Sequence, residues 1–316
     1  MVVVEHDRGI LSPASLEAMA AARTLGTQVH AVTIGAGADD LAGVLAAHGA
    51  AVVHQVHHDV LSDYGPEAWG DSVAQLVGVF APEAVLACGT DRGNEVMAHV
   101  AAILDLPMVA NCIQITLADD TWSIVRVRWG GSLLEDCTLV APTKLATVAH
   151  HTFEASEAPV ASDTQVFAPT LDATHARSVV SERVERATGV TLATAPVVVG
   201  GGRGVGSPEA FAPLEELAGL LGGVVGCSRA VTNNGWRNHT DQVGQTGTRI
   251  APDIYFACGI SGAIQHWVGA MASKKILAIN TDREANMVTK ADYAVIGDLH
   301  QVIPAISAEI RRRRGT

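Results

Sequence analysis

The residues with the most chemical potential sit in the last third of the chain, each group at the end of an apolar run. "GISGAIQH" follows the apolar "IYFAC". Its glycines, Gly259 and Gly262, permit a tight turn from strand to helix. Ser261 stands where a helix N-cap or a phosphate contact belongs, and Gln265 and His266 fall in the first turn of the helix that follows. Upstream, "VVVGGGRGVGSPEAF" sets glycines at 200, 201, 202, 204 and 206 directly after a strand. Such a turn lets backbone N–H groups approach an anion, and Arg203 can add a bidentate contact. "GCSRAV" ends another apolar run with Ser228 and Arg229, and "DQVGQTG" presents Thr246 on a short glycine-rich loop. Each group also has a plainer reading: a flexible turn, an arginine in a structural ion pair, a common polar loop, a solvated or core histidine.

Several kinds of chemistry are missing. The glycines do not fit GxGxxG, no acidic residue lies at the ribose-binding distance, and there is no GxxxxGK[ST]. No GxSxG is found, and no Ser/His/Asp set can be joined from the sequence. "HQVHHD" (His54, His57, His58, Asp59) carries ligand types but follows strand alternation. His150 and His151 lie in a strand-like run with no nearby carboxylate. No metal site is expected.

The elements that position these groups read as two α/β series. The first alternates "MVVVEH", "PASLEAMAAARTLG", "QVHAVTIG", "ADDLAGVLAAHGA", "AVVHQVHH", "PEAWGDSVAQLVGVF", "AVLACGT" and "NEVMAHVAAILDL" as strand and helix. Pro13 opens the first helix and Gly26 lies past its end. This βαβ order predicts a largely parallel sheet with right-handed crossovers. From "SIVRVRWGG" through "LATVAHHTF" the pattern becomes strands with polar alternation, read as an antiparallel extension. Residues 154–190 are mixed in composition and are read as the boundary region, dividing the chain into domains 1–190 and 191–316. The second series contains about five strands, each ending at a glycine or polar residue. Ligands of open parallel sheets bind at such carboxyl ends.

Composition narrows the class of partner. In 316 residues, 48% are hydrophobic and 17% charged, so the chain folds around substantial cores. The formal net charge of −12 argues against nucleic acid. The basic "RRRR" (Arg311–Arg314) reads as the last turn of a helix, where cations oppose the dipole. The five scattered cysteines read as reduced, buried thiols. No signal peptide is apparent, and no apolar run approaches the ~20 residues that span a bilayer. The expectation is a soluble, cytoplasmic protein.

"VGQTG", "GISGAIQH", "AINTD", "ADY" and "GDL", in this order and spacing, resemble the C-terminal half of the electron-transfer flavoprotein alpha subunit, as do "GGRG" and "SRA" upstream. More loosely, "VVVEH", "LGTQVHAVTIG", "HVAAILDLPMVANC" and "RWGG" resemble that family's N-terminal, nucleotide-hydrolase-like domain. The resemblance implies an NAD/FAD-binding-like second domain, with partner-subunit contacts in the first. It further implies an FAD carrier, not a stand-alone catalyst, working as a heterodimer with a beta subunit that holds AMP. The pair would pass electrons from acyl-CoA-type or other dehydrogenases, as in fatty acid oxidation, to a membrane quinone reductase. Arg203 would reach the pyrophosphate or adenosine end, and Ser228 and Arg229 the isoalloxazine ring. The segment Gln242, Val243, Gly244, Gln245 and Thr246 would line the cofactor, with Gln245 and Thr246 at the flavin edge and the threonine hydroxyl near N5. Gly259, Ser261, Gly262, Ala263, Ile264, Gln265 and His266 would bind the phosphates and bring His266, as a cationic or donor imidazole, to the C2 carbonyl. Asn280, Asp298 and Leu299 would hold the adenosine portion. Reduced flavin gathers negative charge at N1 and the C2 oxygen, which such groups stabilise in a low-dielectric site.

The sequence departs from the family pattern in three places. Asn233 stands at or near a common aspartate, "REANMV" (Arg283–Val288) replaces the usual run after "NTD", and Ala294 replaces a glycine after "ADY". These bear on the flavin potential and the partner set. Two other readings stay open: the alpha subunit of a dedicated or electron-bifurcating complex using NADH, and a nucleotide-binding module with no redox role.

Overall fold

The computed structural model describes residues 1–26, 28–118, 120–181 and 190–315. It divides into two compact units, Met1–Glu185 and Arg186–Thr316. The expected boundary at 190/191 abuts residues 182–189, which lie outside the described residues.

Unit 1 is built on a nine-stranded sheet. At its centre Val2–Val3 pairs in parallel with Val29–Ile34 on one side and Ala84–Cys88 on the other. Ala50–Val56 continues the first direction, again in parallel. Side chains alternate as strand geometry requires. Val2, Ala31 and Leu86 pack with Ala18, Met19 and Ala22 of helix Pro13–Thr24. Val3, Val32 and Val85 pack with helices Pro66–Phe80 and Asp91–Leu104 on the opposite face. The segment read as one helix after "TIG" is a 3-10 turn, Ala36–Leu41, running into a short α-helix, Ala42–Ala47.

Two expectations are corrected here. Lys144–Val148 is not part of an antiparallel extension. It is a buried parallel strand between Ala84–Cys88 and Met108–Ala118. Its "LATV" core is covered on both faces, which is why its alternation carries no signal. The antiparallel part is Met108–Ala118, Thr121–Arg128 and Leu133–Leu139. Within the stretch read as boundary, Asp163–Phe167 adds a parallel edge strand to Ala50–Val56. Four of its five residues are exposed, so it lacks an apolar face to betray it.

Unit 2 has five parallel strands, as the sequence suggests: Val197–Gly201, Val224–Cys227, Ile254–Cys258, Ile276–Asn280 and Tyr293–Ile296. Their spatial order, numbered by sequence within the unit, is 2-1-3-4-5. Val199, Cys227 and Phe256 face helices Ala212–Leu220 and Leu299–Arg314. Val198, Tyr255 and Ala257 face Val243, Ile250, Ala270 and Met287. The four arginines do occupy the last turn of the final helix, where Arg312 and Arg313 pair with Glu309. All five cysteines are free, and all but Cys137 are buried. Among the described residues no helix is long and apolar enough to cross a membrane.

Leu214 is fully buried between helix Ala212–Leu220 and this sheet. Leu214→Ala is expected to cost about 2–5 kcal/mol of stability, seen as a lower denaturant midpoint for unit 2 tryptophan fluorescence; an unchanged midpoint would refute the packing described.

Candidate functional site

The strand order of unit 2 decides where a ligand can sit. Strand order reverses at the first strand, Val197–Gly201, with the second strand on one side of it and the third, Ile254–Cys258, on the other, and the crevice outside the carboxyl ends at such a switch point is the binding position of open α/β sheets. Gly201 lies opposite Cys227 and Cys258, so the loops after all three strands start at one level. These are the loops that hold Arg203, Ser228 and Arg229, and Gly259 through His266. The topology thus gathers groups that are 63 residues apart in sequence, from 203 to 266.

The crevice floor is backbone against backbone. Gly202 N donates to Cys258 O (2.8 Å) and Gly204 N to Gly259 O (3.1 Å). A Cβ on Gly202 would lie 2.2 Å from Gly259 O, and one on Gly204 2.8 Å from Gly259 Cα. Glycine is required here because no larger residue lets the two loops meet. Asn280 closes the neighbouring side: its Nδ2 donates to Ile260 O (3.1 Å) and its Oδ1 accepts from Asp282 N (3.0 Å).

A third loop leans on the helix Ile264–Ala270. Gln245 N donates to Gln265 O (2.7 Å), and a Cβ on Gly269 would lie 2.3 Å from Gly244 Cα. Gln242 and Val243 are buried beneath this loop. The Gln242 side chain accepts from Thr232 Oγ1 (2.7 Å) and donates to Thr246 Oγ1 (2.9 Å). Because that hydroxyl oxygen already accepts, its own proton is left to donate outward. Gln245, Thr246, Ser261, Ala263, Ile264 and Gln265 are exposed, as are Arg203 and Arg229. Among the described residues neither of these guanidinium groups has a carboxylate partner. Arg237, by contrast, is held by Glu215 (2.6 Å) and Asp241 (3.0 Å).

Other residues of the sequence-based set have internal roles. Ser228 is buried, with its N–H donated to Gly201 O (3.0 Å). Asp298 caps the last helix through His300 N (2.9 Å), and Leu299 belongs to the core. Ser261 is not an N-cap: Gly262, at φ +78° against Met287, extends the turn so that Ala263 takes that position.

His266 is buried and neutral, not cationic. Its Nε2 meets the Tyr255 hydroxyl at 2.8 Å. Its Nδ1 forms no well-aligned hydrogen bond among the described residues, and the Val243 carbonyl only partly offsets the burial that pushes the imidazole down to about 4. Burial also holds Tyr255 far above its ordinary range, so the phenol keeps its proton. With the Val243 carbonyl favouring a proton on Nδ1, the phenol donates to Nε2. Tyr255 is the residue that sequence reasoning missed. A hydroxyl in an otherwise apolar strand, eleven positions before the histidine, is its one trace.

Comparison with known proteins decides the family. "Electron transfer flavoprotein domain" matches residues 1–187 and "Electron transfer flavoprotein FAD-binding domain" residues 191–271. Electron transfer flavoprotein subunit alpha of Bacillus subtilis is 33% identical over 315 residues, covering 99% of this chain and 97% of that protein. The chain belongs to the electron transfer flavoprotein alpha-subunit family. Within the family, the subunit alpha of Mycobacterium leprae is 36% identical over 320 residues, with 100% and 99% coverage. Protein FixB of Bradyrhizobium diazoefficiens is 36% identical over 329 residues, with 99% of this chain and 88% of that protein covered. The FAD-binding match includes the switch-point loops and His266.

The depressed His266 pKa has a stability consequence. The unfolded imidazole titrates near 6.5 and the folded one near 4, so the unfolded state binds the extra proton between them. Stability is full above about pH 6.5 and falls as pH drops toward 4, by about 3 kcal/mol from this residue. Buried His54 adds a slope in the same window. His266→Gln is therefore expected to flatten, not abolish, the pH dependence of the urea midpoint between pH 7 and 4; an identical slope would refute a buried neutral His266.

Proposed function

We propose that the chain binds FAD across the strand ends of its second unit and carries electrons as the alpha half of a heterodimer. One observation carries the reading: a glycine-floored crevice at a topological switch point, flanked by two guanidinium groups that have no carboxylate partner among the described residues. Its residues suit a dinucleotide. The close backbone approach of Gly202, Gly204 and Gly259 leaves room for a pyrophosphate above them, and Arg203 supplies the matching charge. Arg229, on the other side of the first strand, is assigned to the ring end, with the outward Thr246 hydroxyl, Gln245 and Gln265. His266 lies beneath, a neutral hydrogen-bonding group held by Tyr255. Asn280 and the turn at Asp298 are assigned to the adenosine side.

The flavin supplies the redox chemistry when bound; the protein orients it and tunes its electrostatics. The family membership supports a beta-subunit partner, for which residues 1–190 provide contacts and in which AMP is expected. Donor dehydrogenases, a quinone reductase acceptor and a cytoplasmic location complete the proposal.

Co-expression with a beta subunit tests it. The purified heterodimer should be yellow, with one flavin released per pair and identified as FAD. A colourless complex after reconstitution with FAD would overturn the reading. Arg229→Ala should lower the midpoint potential of the bound flavin by on the order of 30 mV or more, the equivalent of ~1.4 kcal/mol for a two-electron couple. An unshifted potential removes Arg229 from the ring.

A further inference from the structure

The carboxyl end of Lys144–Val148, in unit 1, carries a side-chain cluster that serves none of the roles above. The chain turns sharply there, with His151 in the left-handed region at φ +60°. Successive side chains on an extended chain point to opposite faces. The left-handed residue breaks that alternation, and the His150 and His151 rings lie against each other, tilted by 30°, with centroids 3.7 Å apart. Both face Glu17, on helix Pro13–Thr24. The expectation that no carboxylate lies near these histidines is thus corrected: Glu17 comes from more than 130 residues away in sequence, where no local pattern can announce it.

We propose that Glu17, His150 and His151 form a binding site for a divalent transition-metal ion of the zinc class. His150 Nε2 and His151 Nδ1 each lie 3.7 Å from Glu17 Oε1. One ligand atom from each residue falls within 4.8 Å of the others, and among the described residues this is the group of three in which such atoms converge. Around a tetrahedral ion with bonds of about 2.0–2.1 Å, ligand atoms stand about 3.3 Å apart. The 3.7 Å separations from Glu17 Oε1 exceed that by a few tenths of an ångström, and the two rings must turn to aim both nitrogens at the ion.

The carboxylate is already aimed. Its Oε2 accepts from His151 N at 2.6 Å, which turns Oε1 toward the two rings. Such an outer hydrogen bond is the kind that orients a ligating carboxylate. Two imidazoles and one carboxylate favour zinc, cobalt or nickel over calcium or magnesium, which take oxygen ligands. Side-chain exposures of 13–22% leave an entry path and a position for water as the fourth ligand. The ion would fasten the turn after strand Lys144–Val148 to helix Pro13–Thr24, a structural clip.

The test uses the full chain with its beta partner, stripped with chelator and titrated at neutral pH with Zn²⁺ by calorimetry and with Co²⁺ by visible absorption. One ion per heterodimer is expected, with Co²⁺ bands of a four- or five-coordinate nitrogen and oxygen site. Glu17→Gln and His150→Gln should each weaken binding by about 10–100-fold or more, at least the cost of losing an outer-shell partner. His57→Gln, which removes the separate His57–Asp39 pair (2.9 Å), should leave it unchanged. Should a variant fold poorly, Zn²⁺ must still shift the His150 and His151 imidazole nitrogen signals in the wild-type spectrum. No binding by the stripped wild type, undiminished binding in both variants, or unmoved imidazole signals would overturn the site.

Discussion

The second unit depends on two loops touching through their backbones. Gly202 and Gly204 meet Gly259 so closely that a single methyl group on any of them would drive the strand ends apart. Everything at the crevice follows from that contact. It fixes the level of the first and third strand ends and directs Arg203 outward from a turn whose other side chain, Val205, is buried in the core. It also leaves the start of the Gly259–His266 turn free of bulk. The same device recurs where Gly269 accepts Gly244, so the loop with Gln245 and Thr246 is seated by the same physics as the floor. The site is made of close approach first and side-chain chemistry second.

Burial then sorts the polar groups into two kinds. Those that reach solvent, Arg203, Arg229, Gln245 and Thr246, keep charge or a donor available. Those that face inward are hydrogen-bonded and neutral, as Gln242 and His266 are. A charged imidazole at the His266 position would have to leave water without a counter-ion, a cost far above that of surrendering its proton. Positive charge beside His266 is therefore left to exposed groups such as Arg229. The Tyr255 hydroxyl fills the space that Gly200 concedes, since a Cβ there would lie 2.3 Å from the phenol oxygen.

The strand and helix alternation of both units was legible because apolar periodicity and turn glycines are local signals. The five strands of unit 2, and the loops that follow them, were read from sequence for that reason. Three things were not. Asp163–Phe167 lies exposed at a sheet edge and carries no apolar pattern. Lys144–Val148 was read as a strand, but its parallel direction depends on partners far away in the chain. The 2-1-3-4-5 order, which makes the crevice a crevice, is a property of crossovers and not of any stretch of residues. The protonation of His266 was equally hidden, because it is set by a tyrosine eleven residues earlier and by depth, neither of which a motif encodes. Glu17 beside His150 and His151 is the extreme case of the same limit.

Consider, finally, the place of Lys144–Val148 between Ala84–Cys88 and Met108–Ala118. The antiparallel meander from Met108 to Leu139 reaches the rest of its sheet through this strand, which leaves the ribosome after it. Until Val148 has emerged, any central sheet and any meander formed on the growing chain have no hydrogen-bonded seam between them. Each then presents a bare edge to the other and to any neighbouring chain. That state ends only when residues 144–148 are clear of the ribosome and can pair with both edges.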